Sequence, residues 1–338
     1  IGFGSRRIKR LKGFEFGLAK RINGAFMKTL VTGGAGFIGS NLVYQLLQDG
    51  HEVTVLDNLL SGYHSNISAL SAARFIEGDI RDENAVDEAI EGADVVFHLA
   101  ASVGNKRSID HPILDAEINV IGTLKVLEAA RKIGVRKLVA SSSAGIFGEL
   151  KTLPIKEDHP IEPDSPYGST KLCMEKECLS YSKLYDLEVI CLRYFNVFGP
   201  NQRFDAYGNV IPIFVFKMLR GEPLTIFGDG NQTRDFINVR DVVQANIKAA
   251  LNVGVSGAFN LGCGNRITIN RLVEMLTTVS GIKPRVTHGL PRAGDVRDSL
   301  ADVSAAHQAF GFHPQVDFEE GLKKYMEWAE KEIALEIQ

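Results

Sequence analysis

Tyr167 and Lys171 stand four positions apart in the run Ser165-Pro166-Tyr167-Gly168-Ser169-Thr170-Lys171. On a helix those two positions share a face, so a phenol and an ammonium would point into one site. Tyrosine ordinarily titrates at about 10, and a neighbouring cation lowers that value by favouring the phenolate. The pair therefore reads as a base that takes a proton from a hydroxyl near neutral pH. Upstream, Leu138-Val139-Ala140-Ser141-Ser142-Ser143-Ala144 ends an apolar run in three hydroxyls, one of which could hydrogen-bond the reacting oxygen and share its proton. A Tyr–Lys pair at this spacing also arises by chance, and serines often end strands as caps. Both features gain weight from what precedes them.

That is a glycine loop, Thr32-Gly33-Gly34-Ala35-Gly36-Phe37-Ile38-Gly39, lying between a β-rich run and a helical one. Its G-x-x-G-x-x-G spacing (Gly33, Gly36, Gly39) permits a tight turn and close approach of backbone to a pyrophosphate. The helix N-terminus that follows offers free N–H groups to an anion. The next β-rich run ends at Asp57, 18 residues beyond Gly39. A carboxylate there accepts hydrogen bonds from a ribose 2′-hydroxyl and repels a 2′-phosphate, which predicts NAD rather than NADP. A small neutral residue at position 57 should shift the preference toward NADP. The charge of an oxidised nicotinamide ring would also lower the Tyr167 pKa.

The surrounding pattern supplies elements to carry these groups. β-rich runs are expected at Lys28–Thr32, Glu52–Asp57, Arg74–Glu77, Asp94–Leu99, Lys137–Ser141 and Glu188–Arg193. Helical periodicity covers Phe37–Gln48, Asn119–Lys132 and Tyr167–Tyr185. Such alternation predicts an α/β fold, a doubly wound parallel sheet of the Rossmann type with helices on both faces. Beyond residue 196 the pattern loosens around Gly199-Pro200-Asn201 and Gly228-Asp229-Gly230-Asn231, with helices near Asp241–Asn252, Asn270–Ser280 and Phe318–Lys331. The expected organisation is an NAD-binding domain over 27–195, with a return segment near 235–252, and a smaller α/β substrate lobe over 196–338. The lobe would close over the strand ends, where ligands of open α/β sheets bind.

Composition is that of an ordinary globular protein: 338 residues, 45% apolar and 23% charged. Residues 1–26 form a basic N-terminal extension with seven Lys or Arg against Glu15. The rest carries 31 basic and 40 acidic residues, a net charge of −9. This acidic body argues against a nucleic-acid surface. No apolar run is long enough to span a membrane. The four cysteines (Cys173, Cys178, Cys191, Cys263) lack metal-binding spacing and are expected to be reduced thiols of a cytoplasmic protein, with no metal site.

Together these residues resemble the extended short-chain dehydrogenase/reductase family, and within it the nucleotide-sugar C4-epimerases of the UDP-glucose 4-epimerase type. The resemblance runs from Met27 to about residue 330. Its landmarks are TGGAGFIG (32–39), DN (57–58), GDI (78–80), HLAA (98–101), SSSA (141–144), SPYGSTK (165–171), LRYFNVFGP (192–200), GDGNQTRDFINV (228–239) and PRAGDVRDSLAD (291–302).

It implies a catalytic set of Ser143, Tyr167 and Lys171. It also implies an NAD site drawing on Gly33, Gly36, Phe37, Ile38, Gly39, Asp57, Asn58, Ser61 and Gly62. Asp79 and Ile80 would hold the adenine, Leu99, Ala100 and Ala101 the middle of the cofactor, and Asn119, Tyr167, Lys171 and Phe195 would complete the site. Asn196, Asn209, Thr225, Phe227, Arg234, Arg292 and Asp295 match positions that hold uridine diphosphate, a role suited to Arg forks and to Asn and Asp.

The strand-end stretch Ser143-Ala144-Gly145 lacks the carboxylates of 4,6-dehydratases. Phe147 replaces the Tyr of many relatives. Ser299 stands where glucose-restricted epimerases resemble one another in carrying a bulky Tyr, which implies room for an N-acetyl group. The resemblance thus implies reversible C4 epimerisation of a UDP-hexose through a transient 4-keto sugar. Helices Asn119–Lys132 and Tyr167–Tyr185 resemble a dimer-forming pair, which implies a homodimer. Two other readings stay open: a UDP-uronate 4-epimerase using Lys106 or Arg107 as a carboxylate clamp, and a non-catalytic NAD sensor.

Overall fold

A computed structural model describes residues 26–68, 70–204, 208–291 and 297–336. The strands of its main sheet are β1 (Lys28–Thr32), β2 (Glu52–Asp57), β3 (Arg74–Glu77), β4 (Val95–His98), β5 (Lys137–Ser143) and β6 (Glu188–Tyr194). Shorter strands follow: β7 (Asn196–Phe198), β8 (Leu224–Phe227), β9 (Thr233–Arg234), β10 (Phe236–Asn238), β11 (Gly257–Leu261), β12 (Ile267–Thr268) and β13 (Val286–Gly289). The helices are α1 (Phe37–Gln48), α2 (His64–Ser68), α3 (Glu83–Ile90), α4 (Asn105–Asp110), α5 (Pro112–Ala116), α6 (Thr123–Ile133), α7 (Pro166–Leu184), α8 (Val210–Leu219), α9 (Val239–Leu251), α10 (Ile269–Ser280), α11 (Ser304–Phe310) and α12 (Phe318–Glu336).

Seven parallel strands form one sheet in the order β11-β6-β5-β4-β1-β2-β3. This is the doubly wound arrangement expected from the alternating pattern. The sequence of connections reverses between β1 and β4, and Thr32 at the end of β1 lies opposite both Leu56 and His98. Ligand-binding crevices of such sheets open at that switch point, beyond the carboxyl ends of the strands.

Side-chain alternation explains why the strands read as nearly unbroken apolar runs. Val31, Phe97, Val139 and Ile190 point to a core shared with α1 and α9. Leu30, Val96, Leu138 and Val189 point to the opposite core, against α3, α6 and α7. Both faces are covered, so neither can be polar. A third core gathers α8, α10, α12 and β8 around Phe198, Phe236 and Tyr325.

The structure departs from the expected elements at several points. β5 continues to Ser143 and β6 to Tyr194. The helix expected from Asn119 begins as a wide π turn, Glu117–Gly122, which runs into α6. β11 adds an edge strand beyond the six read from sequence. Residues 1–25 of the basic extension lie outside the described residues, as do Arg292 and Asp295.

Candidate active site

The start of α7 is fixed by its own sequence. Ser165 is the N-cap and accepts the Gly168 N–H at 3.1 Å, and Pro166 occupies the first turn. Gly168 lets the helix come unusually near the end of β5. A Cβ there would stand 2.5 Å from the Gly145 carbonyl oxygen. One stripe of α7 then meshes with the three serines at the strand end. The Tyr167 ring lies beside the Ser143 hydroxyl, on either side of Gly145. Lys171 donates to the Ser141 carbonyl. Glu175 accepts the Ser142 hydroxyl at 2.7 Å.

The electrostatics of the pair differ from the sequence expectation. Burial pushes the Tyr167 phenol above its ordinary value; the Ser143 contact lowers it and the nearby Asp115 raises it further. Lys171 is only 3% exposed, and burial lowers it to about 8 against the opposing pull of Cys178, Cys191, Asp115 and Glu175. At Tyr167, desolvation outweighs the Ser143 contact.

The glycine loop lies against the ends of β2 and β4. Gly33 has φ +70, and a Cβ there would sit 2.7 Å from the Ala100 nitrogen, so the turn and the crossing loop admit only glycine. Gly36 caps α1, whose first turn carries no acidic residue. Phe37 and Ile38 are half-buried in that turn, and Gly39 is buried behind it.

Asp57 accepts the Ala35 N–H at 2.9 Å on one oxygen and the Leu59 N–H at 2.9 Å on the other. Burial nevertheless raises its pKa against those bonds. Gly62 lies against Ala35 and the Asp57 carboxylate, while Ser61 stays exposed. Asn58 donates to Asp79 at 2.7 Å. Arg81 grips the same carboxylate at 2.9 and 3.0 Å and holds Asp79 down to about 2. The Ile80 side chain is buried against Gly122. Leu99, Ala100 and Ala101 are half-buried at the mouth, and Phe195 joins the end of β6 to Leu261 by a 3.0 Å backbone bond. A glycine turn, a helix N-terminus clear of acids and a strand-end carboxylate fit a dinucleotide.

The residues expected to hold uridine diphosphate are spread over the loops of the C-terminal half. Asn196 reaches the Asp235 carbonyl at 3.0 Å, Asn209 is exposed ahead of α8, and Thr225 meets Thr287 at 3.3 Å. Phe227 ends β8, and Arg234 donates to the Thr233 carbonyl at 2.8 Å. Ser299 is buried in a segment tied to the 150s loop through the Ile155 N–H and the Leu300 carbonyl.

Several supporting residues escaped the sequence reading. Glu175 forms a buried pair with Arg193 at 2.8 Å. Asp235, wholly buried, accepts backbone N–H groups from Cys263, Gly264 and Ala301, and burial raises it to about 6. Asp115 and Asn119 close a network on Thr170, one turn after Tyr167. Ser108 accepts the Tyr167 N–H at 3.0 Å, bracing α7 from α4. Phe147 is fully buried beside Arg193 and His159, a setting that asks for no hydroxyl. The cysteines are free, no helix among the described residues is long and apolar enough to cross a membrane, and no metal-binding group occurs among them.

Comparison with known proteins adds three findings. The sequence model of the NAD dependent epimerase/dehydratase family matches residues 29–262. The UDP-glucose 4-epimerase of Mycolicibacterium smegmatis is 40% identical over 307 residues, 89% of this chain and 98% of that protein. Two solved structures superpose closely. The UDP-glucose 4-epimerase of Thermotoga maritima with UDP-glucose has a TM-score of 0.87 at 40% identity, covering 91% of this chain and 100% of that one. The UDP-N-acetylglucosamine 4-epimerase of Methanobrevibacter ruminantium with UDP-N-acetylmuramic acid has a TM-score of 0.87 at 36% identity, covering 91% and 99%.

Proposed function

From the premise that the chain belongs to the NAD dependent epimerase/dehydratase family, we propose that it is an enzyme that inverts C4 of a UDP-hexose with NAD. The observation that carries this reading is the meeting of Ser143, Tyr167 and Lys171 at the end of β5, in the same sheet whose β1 leads into the glycine loop. A sensor needs no phenol poised on a hydroxyl. Ala144 and Gly145 follow Ser143, so no carboxylate stands there to drive loss of water.

When bound, NAD supplies reversible hydride exchange with the sugar C4, giving a transient 4-keto sugar and no net oxidation. Gly33, Gly36 and the α1 N-terminus would hold its pyrophosphate, Asp57 the adenine ribose and Lys171 the nicotinamide ribose. Tyr167 takes the C4 hydroxyl proton and later returns one, while Ser143 orients the oxygen and shares the proton. Lys171, with the positive charge of an oxidised ring nearby, works against the burial that raises the phenol. Asn196, Asn209, Thr225, Phe227 and Arg234 anchor the uridine diphosphate, with Arg292 and Asp295 in the same role. The sugar is thereby free to turn.

Residues 27–195, with the return near 235–252, form the NAD half in this reading, and 196–338 mainly the nucleotide-sugar lobe. Ser299 favours a site that accepts N-acetylated sugars beside glucose and galactose. Lys106 pairs with Asp110 on an exposed helix, which counts against a uronate clamp. The chain acts as a cytoplasmic homodimer in this reading, and exposed Ile113 and Ile121 beside α7 suit a second copy.

The test uses purified protein without added NAD, incubated separately with UDP-glucose, UDP-N-acetylglucosamine and UDP-glucuronate, the C4 epimers being resolved by chromatography. Conversion of the first two is expected. Tyr167→Phe should lower turnover by about 10²–10⁴-fold, and Ser299→Tyr should remove only the acetylated activity. Failure of all three sugars even with NAD supplied would overturn the reading.

A further inference from the structure

His98 and Thr123 lie behind the proposed cofactor cleft, and both are fully buried. Their protons can be counted. Thr123 donates its hydroxyl proton to the Asn119 carbonyl at 2.7 Å. Its oxygen must therefore accept in the 2.9 Å contact with His98 Nε2, so Nε2 carries the ring proton. Burial, with Lys171 acting in the same direction, pushes His98 down to about 3, so the ring is neutral and Nδ1 accepts. The donor to Nδ1 is Thr32 Oγ1 at 2.8 Å, and that oxygen in turn accepts the Ala100 N–H at 3.3 Å. The result is a one-way chain from Ala100 through Thr32, His98 and Thr123 to Asn119.

Asn119 closes the arrangement from the other end. Its Oδ1 accepts the Ser102 N–H at 2.9 Å and its Nδ2 donates to the Ser102 carbonyl at 3.1 Å. The segment 98–102 is thus held at its start, middle and end. It is also the segment whose Ala100 backbone abuts Gly33.

We propose that His98 and Thr123 are positioning residues for the dinucleotide: the directional chain through them fixes residues 99–101 against the glycine loop and sets the width of the NAD cleft. This rests on the NAD reading above. Both His98 ring nitrogens and the Thr123 hydroxyl are already engaged, so the two residues act through Thr32, Ala100 and Asn119.

The experiment measures NAD affinity of the full chain by calorimetric titration. Thr123→Val keeps the shape and deletes the hydroxyl; Thr123→Ser restores it. Val126→Ala opens a cavity on the apolar face of the same helix and controls for lost stability, followed by thermal melting. Thr123→Val should weaken NAD by about tenfold, the size of one net hydrogen bond. Thr123→Ser should stay within about threefold of the parent, and so should Val126→Ala despite its lower Tm.

Nitrogen-15 NMR of the wild type, with His98 assigned through His98→Gln, should show a proton on Nε2 and none on Nδ1, and this result does not depend on any variant folding. The proposal is overturned if Thr123→Val binds like the parent, if Val126→Ala weakens NAD equally, or if Nε2 is unprotonated. A wild-type chain that binds no NAD at all would sink the cofactor reading first, and this proposal with it.

Discussion

Lys171 answers two opposed demands. Its charge is wanted beside Tyr167, yet it is 3% exposed and spends a proton on the Ser141 carbonyl. Its folded-state pKa, about 8, lies below its ordinary 10.5. Between those values the folded chain binds fewer protons than the unfolded one, so stability rises with pH across that window. The cost of the buried charge is fully present below the window and is relieved as Lys171 deprotonates. Lys171→Met should therefore abolish turnover and yet stabilise the cofactor-free protein by roughly 1–3 kcal/mol at neutral pH, an exchange of activity for stability. Urea midpoints would show it, with the gap to the parent closing toward pH ~10. A variant less stable than the parent at neutral pH would refute it. Tyr167 and Lys171 were legible as a pair because spacing of i and i+4 shows in the sequence itself, and Ser143 because it ends an apolar run. Glu175 was within reach, since it is the next position on the same stripe. Arg193 was not, because its partner lies 18 residues away on another element.

At the level of elements, α7 and the end of β5 act as one part. Tyr167, Lys171 and Glu175 meet Ser143, Ser141 and Ser142, and the Glu175 rung is anchored by a buried ion pair to a third element, β6, through Arg193. Both partners are nearly wholly buried, so removing one strands the other without a counter-charge. Glu175→Gln should cost about 3–5 kcal/mol, while Glu175→Gln with Arg193→Met should recover part of that loss. A double-mutant cycle by urea unfolding reads the coupling, and additive losses would show that the pair does not hold the helix to the sheet. The elements that escaped the sequence reading did so for physical reasons. The run Gly257–Leu261 contains glycine and asparagine and pairs only along one edge, so its apolar signal is short. The π turn at Glu117–Gly122 inserts extra backbone without breaking the apolar spacing, and periodicity does not register it. The core strands were legible because burial on both faces leaves long Val- and Leu-rich runs.

The segment 200–203 ties α1 and the glycine loop to the C-terminal helix. Asn41 on α1 donates to the Pro200 carbonyl at 2.9 Å, and Asn201, held at φ +70, donates to Ser40 at 2.9 Å. Tyr325 on α12 donates to the Gln202 carbonyl at 2.6 Å. Arg203 then binds Glu332 on α12 at 2.7 Å and Asn66 at 2.9 Å, with its guanidinium 4.0 Å from the centre of the Tyr63 ring. Asn66 and Tyr63 both hydrogen-bond the Ala35 carbonyl, so this one cation links the C-terminal helix to the glycine loop. The pair is only partly exposed, 15% and 20%, and its planar fork, stacked on an aromatic ring, gives it more weight than an ordinary surface bridge. Arg203→Ala should lower Tm by about 1.5–3 °C, the loss of one or two kcal/mol in a chain of this size. Arg220→Ala removes a more exposed pair with Glu336 in the same helix and should move Tm by less than about 1 °C. Adding NAD should widen the Arg203→Ala deficit if ligand and arginine secure the same loop, because the variant then binds NAD more weakly and gains less from it. Equal shifts for the two variants would mean that Arg203 is a surface ion pair like any other and does not secure the glycine loop.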